Sequence, residues 1–545
     1  MTKPFDETYD VVVIGSGAAG LATALGAADS GLSVLIAEGA DKWGGNTSMS
    51  GGGMWLPNNP LMRRDRVGDS KEEALEYMGV TIGYPNQAAS PERQEAFVDG
   101  VDDFVETAEK YGVQFSRAAD YPDYYPERPG GKIGRAIEVA PLDTKKIGEW
   151  WDSMLGAIPI PAKTDDVWLL GRAWSTPAGF MRGAQFVGRT LGGVVTGKRL
   201  AGIGAAWAAA FLEAVVIKLG VPLWLNAPLK ELIVEDGAVV GAVIERDGKP
   251  VRVRALRGVM LAAGGFESNK EWRQKHHDID GATSGSAYNR GGAIQAAQEM
   301  GAAVDILDDA WWGGSIEAAP GKNPSFIVGE RSMPFSIMVD SRGHRFANES
   351  ESYVDLGHHM QELDGGKGPY WLILDNRSIR RYFRTFALDP KTMKAWRQQG
   401  IAVKAKTLDG LAKKINVDPA VLRETAERFS GFARAGVDGD FGRGNSAYDR
   451  YYGDPLVRPN PNLGPIEKGP FHAYKMVLGD LGTKGGIVTD IDGRALDEEG
   501  GVIEGLYSAG NSSASVMGNT YPGPGSTIAP AAVFGMRAAR HMAAS

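Results

Sequence analysis

At 545 residues the chain exceeds what one hydrophobic core supports, which excludes a lone small module and predicts about two to four domains. Apolar residues make up 43% and charged residues 23%, as in ordinary globular proteins, but 74 glycines are roughly double the usual share and cluster as glycine-rich ligand loops do. A net charge of −8 without a Lys/Arg run excludes a nucleic-acid footprint, and the absence of cysteine excludes disulfides, iron–sulfur clusters, thiol redox chemistry and cysteine-linked cofactors.

In chain order, Met1 to Asp10 carries Asp6, Glu7 and Asp10 and no apolar run, so it does not read as a signal peptide and a cytoplasmic location is expected. Val11-Val12-Val13-Ile14 reads as a parallel strand buried on both faces. It runs into Gly15-Ser16-Gly17-Ala18-Ala19-Gly20, where Gly15 permits the tight turn, Gly17 lets the backbone approach a diphosphate and Gly20 lets helix pack on strand. A helix over about 18–30, a strand over 33–37 and the acid Glu38, placed to hold a ribose, complete a dinucleotide-binding unit.

The continuation Gly44-Gly45-Asn46-Thr47-Ser48-Met49-Ser50-Gly51-Gly52 is a second glycine-and-hydroxyl loop. Nicotinamide does not need it, but an extended flavin does, so non-covalent FAD is the predicted cofactor, with Gly44, Gly45, Asn46, Thr47, Ser50, Gly51 and Gly52 beside it. Trp168 to about Trp224 is anomalous. From Val167 to Leu212 five basic residues occur with no acid, interleaved with Trp168, Trp174, Phe180, Phe186 and Trp207. That is the composition of a segment touching a membrane surface, and a basic loop followed by a buried helix over 200–212 is the alternative.

A β-meander from Leu232 through Val253 leads to a strand ending in Ala263-Gly264, and Gly505 to Asn511 repeats the pattern with Gly510 and Asn511 at its end. The predicted fold is therefore α/β, with a Rossmann-like FAD-binding domain built from both chain ends (1–283 and 482–545) and an inserted α+β substrate domain over 284–481. None of the seven histidines stands in a metal-ligating spacing, and no metal is expected.

Tyr521-Pro522-Gly523-Pro524-Gly525, with Asp480 to Gly486, Gly505 to Asn511 and Tyr121-Pro122-Asp123-Tyr124-Tyr125, resembles the 3-ketosteroid Δ1-dehydrogenases over nearly the whole chain. The resemblance implies FAD-dependent oxidation between carbons 1 and 2 of a 3-ketosteroid. It implies Tyr521 and the Gly525 amide as donors to the carbon-3 carbonyl, and Tyr353 as the base removing the proton at carbon 2 while flavin N5 takes hydride from carbon 1. It further implies Tyr124 as the phenol hydrogen-bonded to that base, with Tyr125 as the alternative. A quinone is the expected electron acceptor, and contact with the inner face of the cell membrane through 168–212 would suit an apolar substrate.

Fumarate-type reductases share the cofactor architecture but need cationic clamps. Where that class carries His-Thr-Met-Gly-Gly and Arg-Gly-x-Gly-Gly, this chain has Gly482-Thr483-Lys484-Gly485-Gly486 and Glu330-Arg331-Ser332-Met333-Pro334. The cofactor signature is also compatible with a steroid dehydrogenase acting at carbons 4 and 5, and with a flavin-binding electron-transfer or sensor module. The Tyr-Pro-Gly-x-Gly motif speaks against the first and the large inserted domain against the second.

Overall fold

A computed structural model describes residues 4–279 and 281–545; Met1 to Lys3, where the targeting reading begins, and Asp280 lie outside it. The strand Glu7–Ile14 is central to an eight-stranded sheet, and its apolar half, Val11 to Ile14, is buried on both faces. It pairs in parallel with Val34–Ala37 on one side and with Lys249–Leu261 on the other. Val502–Ser508 lies beyond Lys249–Leu261, so the last part of the chain completes the sheet that the first part begins. The predicted meander is present as Leu229–Glu235 and Ala238–Arg246, joined antiparallel to Lys249–Leu261.

The helix Ala18–Asp29 is rich in alanine and glycine and buries ten of its residues on more than one side. Small side chains suit a helix that must lie against both the sheet and the C-terminal helix Ile528–Ala544.

A second, six-stranded sheet draws all its strands from residues 310–483, with the thirteen-residue strand Phe471–Thr483 at its centre. Helix Tyr353–Asp364 covers one face with Leu356 and Met360, and helix Pro419–Ala435 covers the other with Leu422, Ala426 and Phe429. Residues 292–302, expected with the inserted domain, pack instead on the first sheet. Helix Gly292–Gln298 buries Ala293, Ile294 and Ala297 there, because three apolar residues on one face of a short helix need that cover.

The anomalous segment divides in two. Ile203–Leu212 is a helix buried in the core, while Thr164–Leu170 and Pro177–Val195 are helices, not a basic loop. Among the described residues no helix is long and apolar enough to cross a membrane.

Candidate active site

One cavity of about 660 Å³, within the range of ligand and cofactor pockets, runs from the dinucleotide unit to the tyrosines. At its first end Gly15 takes a φ of +105°, where a Cβ would collide with the Ala262 carbonyl, so the turn admits only glycine. Gly17, Ala18 and Ala19 line the cavity at the start of the first helix, whose free amides and dipole suit a diphosphate. Thr47 reaches this point too, its hydroxyl accepting from the Ala18 amide at 3.0 Å.

Glu38 accepts from the Ser16 amide at 3.0 Å, the Ser16 hydroxyl at 2.6 Å and the Ala40 amide at 3.1 Å. Burial raises its carboxyl above the usual carboxylate range, and these donors, led by Ser16, oppose the rise. Glu38→Ala is expected to raise the FAD dissociation constant at least about tenfold, as loss of charge-assisted hydrogen bonds implies. Dialysis followed by flavin absorbance measures this, and unchanged flavin content would defeat the ribose assignment.

Gly45, Asn46, Thr47, Ser50, Gly51, Gly52, Ala263, Gly264, Gly510 and Asn511 also line the cavity. Gly20 and Gly44 do not. Gly20 lies against the Gly15 carbonyl, where it closes strand on helix, and Gly44 lies behind the loop, its amide donating to the Ser16 hydroxyl at 3.0 Å.

Asn46 shows how distant segments are held together. Its amide nitrogen donates to Glu267 at 2.7 Å and to the Leu481 carbonyl at 3.2 Å, and its oxygen accepts from the Ser286 amide at 2.7 Å. Glu267 also accepts from Asn289 at 2.7 Å, and burial pushes its carboxyl up to about 7. Sequence reasoning missed Glu267; its one signal was an acid three residues past Gly264.

At the other end stand the tyrosines. Gly525 has a φ of +94°, and a Cβ there would collide with the Gly53 carbonyl. Its amide donates to the Tyr521 hydroxyl at 3.3 Å, so the two groups are close enough to converge on one ligand oxygen. The Tyr521 ring lies 4.7 Å from that of Tyr353 and 5.2 Å from that of Tyr124, centre to centre. The Tyr124 amide donates to the Pro522 carbonyl at 2.8 Å, which ties Tyr124 to the Tyr521 loop. Tyr125 does not line the cavity; its hydroxyl donates to Asp355 at 2.9 Å.

Tyr353 opens helix Tyr353–Asp364. The loop before it is fixed by Arg345, which donates to Glu349 at 2.7 and 2.8 Å, and by the buried Arg331, which donates to the Glu349 and Glu351 carbonyls at 2.6 and 2.8 Å. Burial first, then the Tyr521 and Tyr124 phenols, raise the Tyr353 hydroxyl well above the usual phenol range. Tyr124 is raised likewise by burial and its phenol neighbours. At Tyr521 burial also raises the hydroxyl, but hydrogen bonds from Tyr353, Thr527 and the Gly525 and Ser526 amides oppose it.

The expected hydrogen bond between Tyr124 and Tyr353 is absent from this arrangement. The rings meet edge to face with centres 5.7 Å apart, and Tyr124 packs against Tyr448 at 4.3 Å. Tyr121, Tyr448, Tyr451 and Tyr452 extend the phenol cluster, and the Tyr121 and Tyr452 hydroxyls are hydrogen-bonded to each other. The signal for this cluster was the tyrosine density of Tyr448-Asp449-Arg450-Tyr451-Tyr452.

Residues 10–528 match the FAD binding domain family. The chain is 43% identical to the 3-oxosteroid 1-dehydrogenase of Mycolicibacterium smegmatis, over 99% of this chain and 98% of the relative. It is 42% identical to the protein of the same description from Mycobacterium tuberculosis, over 98% of each. Among solved structures it is similar to a 3-ketosteroid delta1-dehydrogenase from Sterolibacterium denitrificans in complex with 1,4-androstadiene-3,17-dione. The TM-score is 0.91 at 37% identity, covering 99% of this chain and 100% of that one.

Proposed function

Since the chain belongs to the flavoprotein family of the 3-oxosteroid 1-dehydrogenases, we propose that it removes hydrogen from carbons 1 and 2 of 3-ketosteroids. The observation that carries this reading is the meeting of Tyr353, Tyr521 and the Gly525 amide at one end of a cavity whose other end is built from cofactor loops. Gly15 to Glu38, Gly45 to Gly52, Ala263-Gly264 and Gly510-Asn511 would hold FAD, which when bound would supply the acceptor for the hydride leaving carbon 1.

Tyr521 and the Gly525 amide donate to the carbon-3 oxygen and stabilise the charge that develops on it as the neighbouring C–H bond is broken. Tyr353 takes the proton from carbon 2. Tyr124 backs both rings and keeps water from them.

Among the described residues, the only basic side chains lining the cavity are Lys42 and Arg290, on loops around the dinucleotide end, so the tyrosine end offers no clamp for a small dicarboxylate. Mixing the purified protein with androst-4-ene-3,17-dione and an artificial acceptor is expected to give the 1,2-unsaturated product. Turnover of fumarate with a reduced dye, and none of the steroid, would overturn the reading.

The exterior of helix Pro177–Val195 supports a second element of the reading, contact with a membrane surface. Phe180, Val187, Leu191 and Val194 recur on one face and are exposed, with Val195 86% and nearby Trp174 74% exposed. Arg182 and Arg189 turn to Asp166, at 3.5 and 2.6 Å, and leave that face apolar. Trp168, on the preceding helix, lines the cavity, so an apolar steroid and a quinone acceptor would both be at hand in the bilayer. The protein is expected to sediment with phosphatidylglycerol-containing vesicles at low salt, and Leu191→Ser with Val194→Ser to release it. Wild type left in the supernatant would refute the contact.

A further inference from the structure

The cavity is apolar and aromatic around the tyrosines, where Phe326, Val328 and Trp168 join them, but its lining also includes two polar side chains from elsewhere in the fold. Glu330 stands on the short helical turn that follows Val328, and Thr385 on a separate turn, Thr385–Ala387. The Thr385 hydroxyl donates to one Glu330 carboxylate oxygen at 2.6 Å. Tyr353, Tyr521 and Gly525 lie deep beside the cofactor loops, whereas Thr385 is exposed and Glu330 half-buried, so this pair marks the rim.

Among the described residues no cation forms a salt bridge with it, although its charge acts at longer range on the buried Arg384 guanidinium. Arg384, next to Thr385 in the chain, is buried and turned inward, donating to Ser378 at 2.6 Å and to the Tyr382 carbonyl at 3.2 Å. Among the described residues Glu330 has no salt-bridge partner within 4.0 Å, and its second carboxylate oxygen makes no hydrogen bond to a neighbouring side chain. A carboxylate that lines a cavity and is fixed by one neighbour accepts further hydrogen bonds and cannot donate them.

Resting on the reading of the chain as a 3-ketosteroid dehydrogenase, we propose that Glu330, steadied by Thr385, is a specificity residue for the end of the steroid remote from its 3-keto group. With the keto oxygen held at Tyr521 and Gly525, the far end of a rigid ring system points to the rim. A hydroxyl there donates to the carboxylate. A ketone offers only a second acceptor, and an anionic side chain meets a like charge in a partly desolvated place. The preferred substrates are therefore 3-ketosteroids ending in an alcohol, and those ending in a carboxylate are disfavoured.

Two substrate pairs with identical A rings test this in wild type, Glu330→Gln and Thr385→Val. One pair has a ring-D hydroxyl or a ring-D ketone, and the other a side-chain carboxylate or its methyl ester. In wild type the hydroxyl is expected to exceed the ketone, and the ester the acid, by about tenfold in kcat/KM. The gap between ester and acid should shrink as salt is raised, which a merely structural residue would not cause. Glu330→Gln, of the same shape, should bring both ratios to within about twofold of unity, and Thr385→Val should narrow the first. Ratios unchanged in Glu330→Gln, with the substrates still converted, would overturn the specificity role alone. No 1,2-unsaturated product from any of the four in wild type would instead refute the steroid reading, and this inference with it.

Discussion

Tyr353→Phe is expected to slow flavin bleaching by a 3-ketosteroid at least about a hundredfold while leaving the fold and flavin content intact, as loss of a general base implies. The ring packs edge to face on Phe326 at 5.2 Å and beside Tyr521 at 4.7 Å, and phenylalanine keeps both contacts. What disappears is the oxygen proposed to take the proton. The wild-type enzyme should also show a characteristic pH dependence. Burial holds the Tyr353 hydroxyl above the ordinary phenol range, so the basic form is scarce at neutral pH and its share grows about tenfold per pH unit below that raised value. The rate of bleaching should therefore climb with pH above neutrality, and the climb should be lost in Tyr353→Phe. Rapid mixing across a pH series measures both, and a wild-type rate in the variant would move the role of base to Tyr124.

Tyr521→Phe is expected to slow the same step by roughly a hundredfold or more, the usual result of losing one donor to a developing oxyanion. The Gly525 amide remains, which keeps the loss from being complete. The variants separate on a different measurement. A donor to the keto oxygen also acts before reaction, so affinity for a non-reactive 3-keto analogue should fall more in Tyr521→Phe than in Tyr353→Phe. Equal affinities in the two would remove Tyr521 from keto recognition.

The dinucleotide end was legible because its constraints are local. Gly15, Gly17 and Glu38 lie within one strand-turn-helix-strand unit, and each reads from the geometry a short chain must adopt. Glu267 was not legible, since its hydrogen-bond partner Asn46 is 221 residues away and nothing local marks a buried acid. The same distance hid the cover over helix Gly292–Gln298, whose apolar face could as well have met the inserted sheet. In the basic segment, the count of charge from Val167 onward began one residue past Asp166, the acid that pairs with Arg182 and Arg189. Composition measured in a window cannot see a partner just outside it. The tyrosine site became visible only through resemblance, because a phenol carries the same local signature in a core as in a catalytic pocket.

The cofactor domain joins segments far apart in the sequence, and this bears on how the protein is made. On the ribosome the helix Ala18–Asp29 emerges long before the helix Ile528–Ala544 that packs against it. Until the later helix emerges, the apolar surface of the earlier one lacks that cover, a window in which nascent chains associate wrongly unless held by a chaperone. A product lacking Ile528–Ala544 would keep the glycine loops of the cavity but lose Ile528 and Ala531 from its lining, and would be a poor folder.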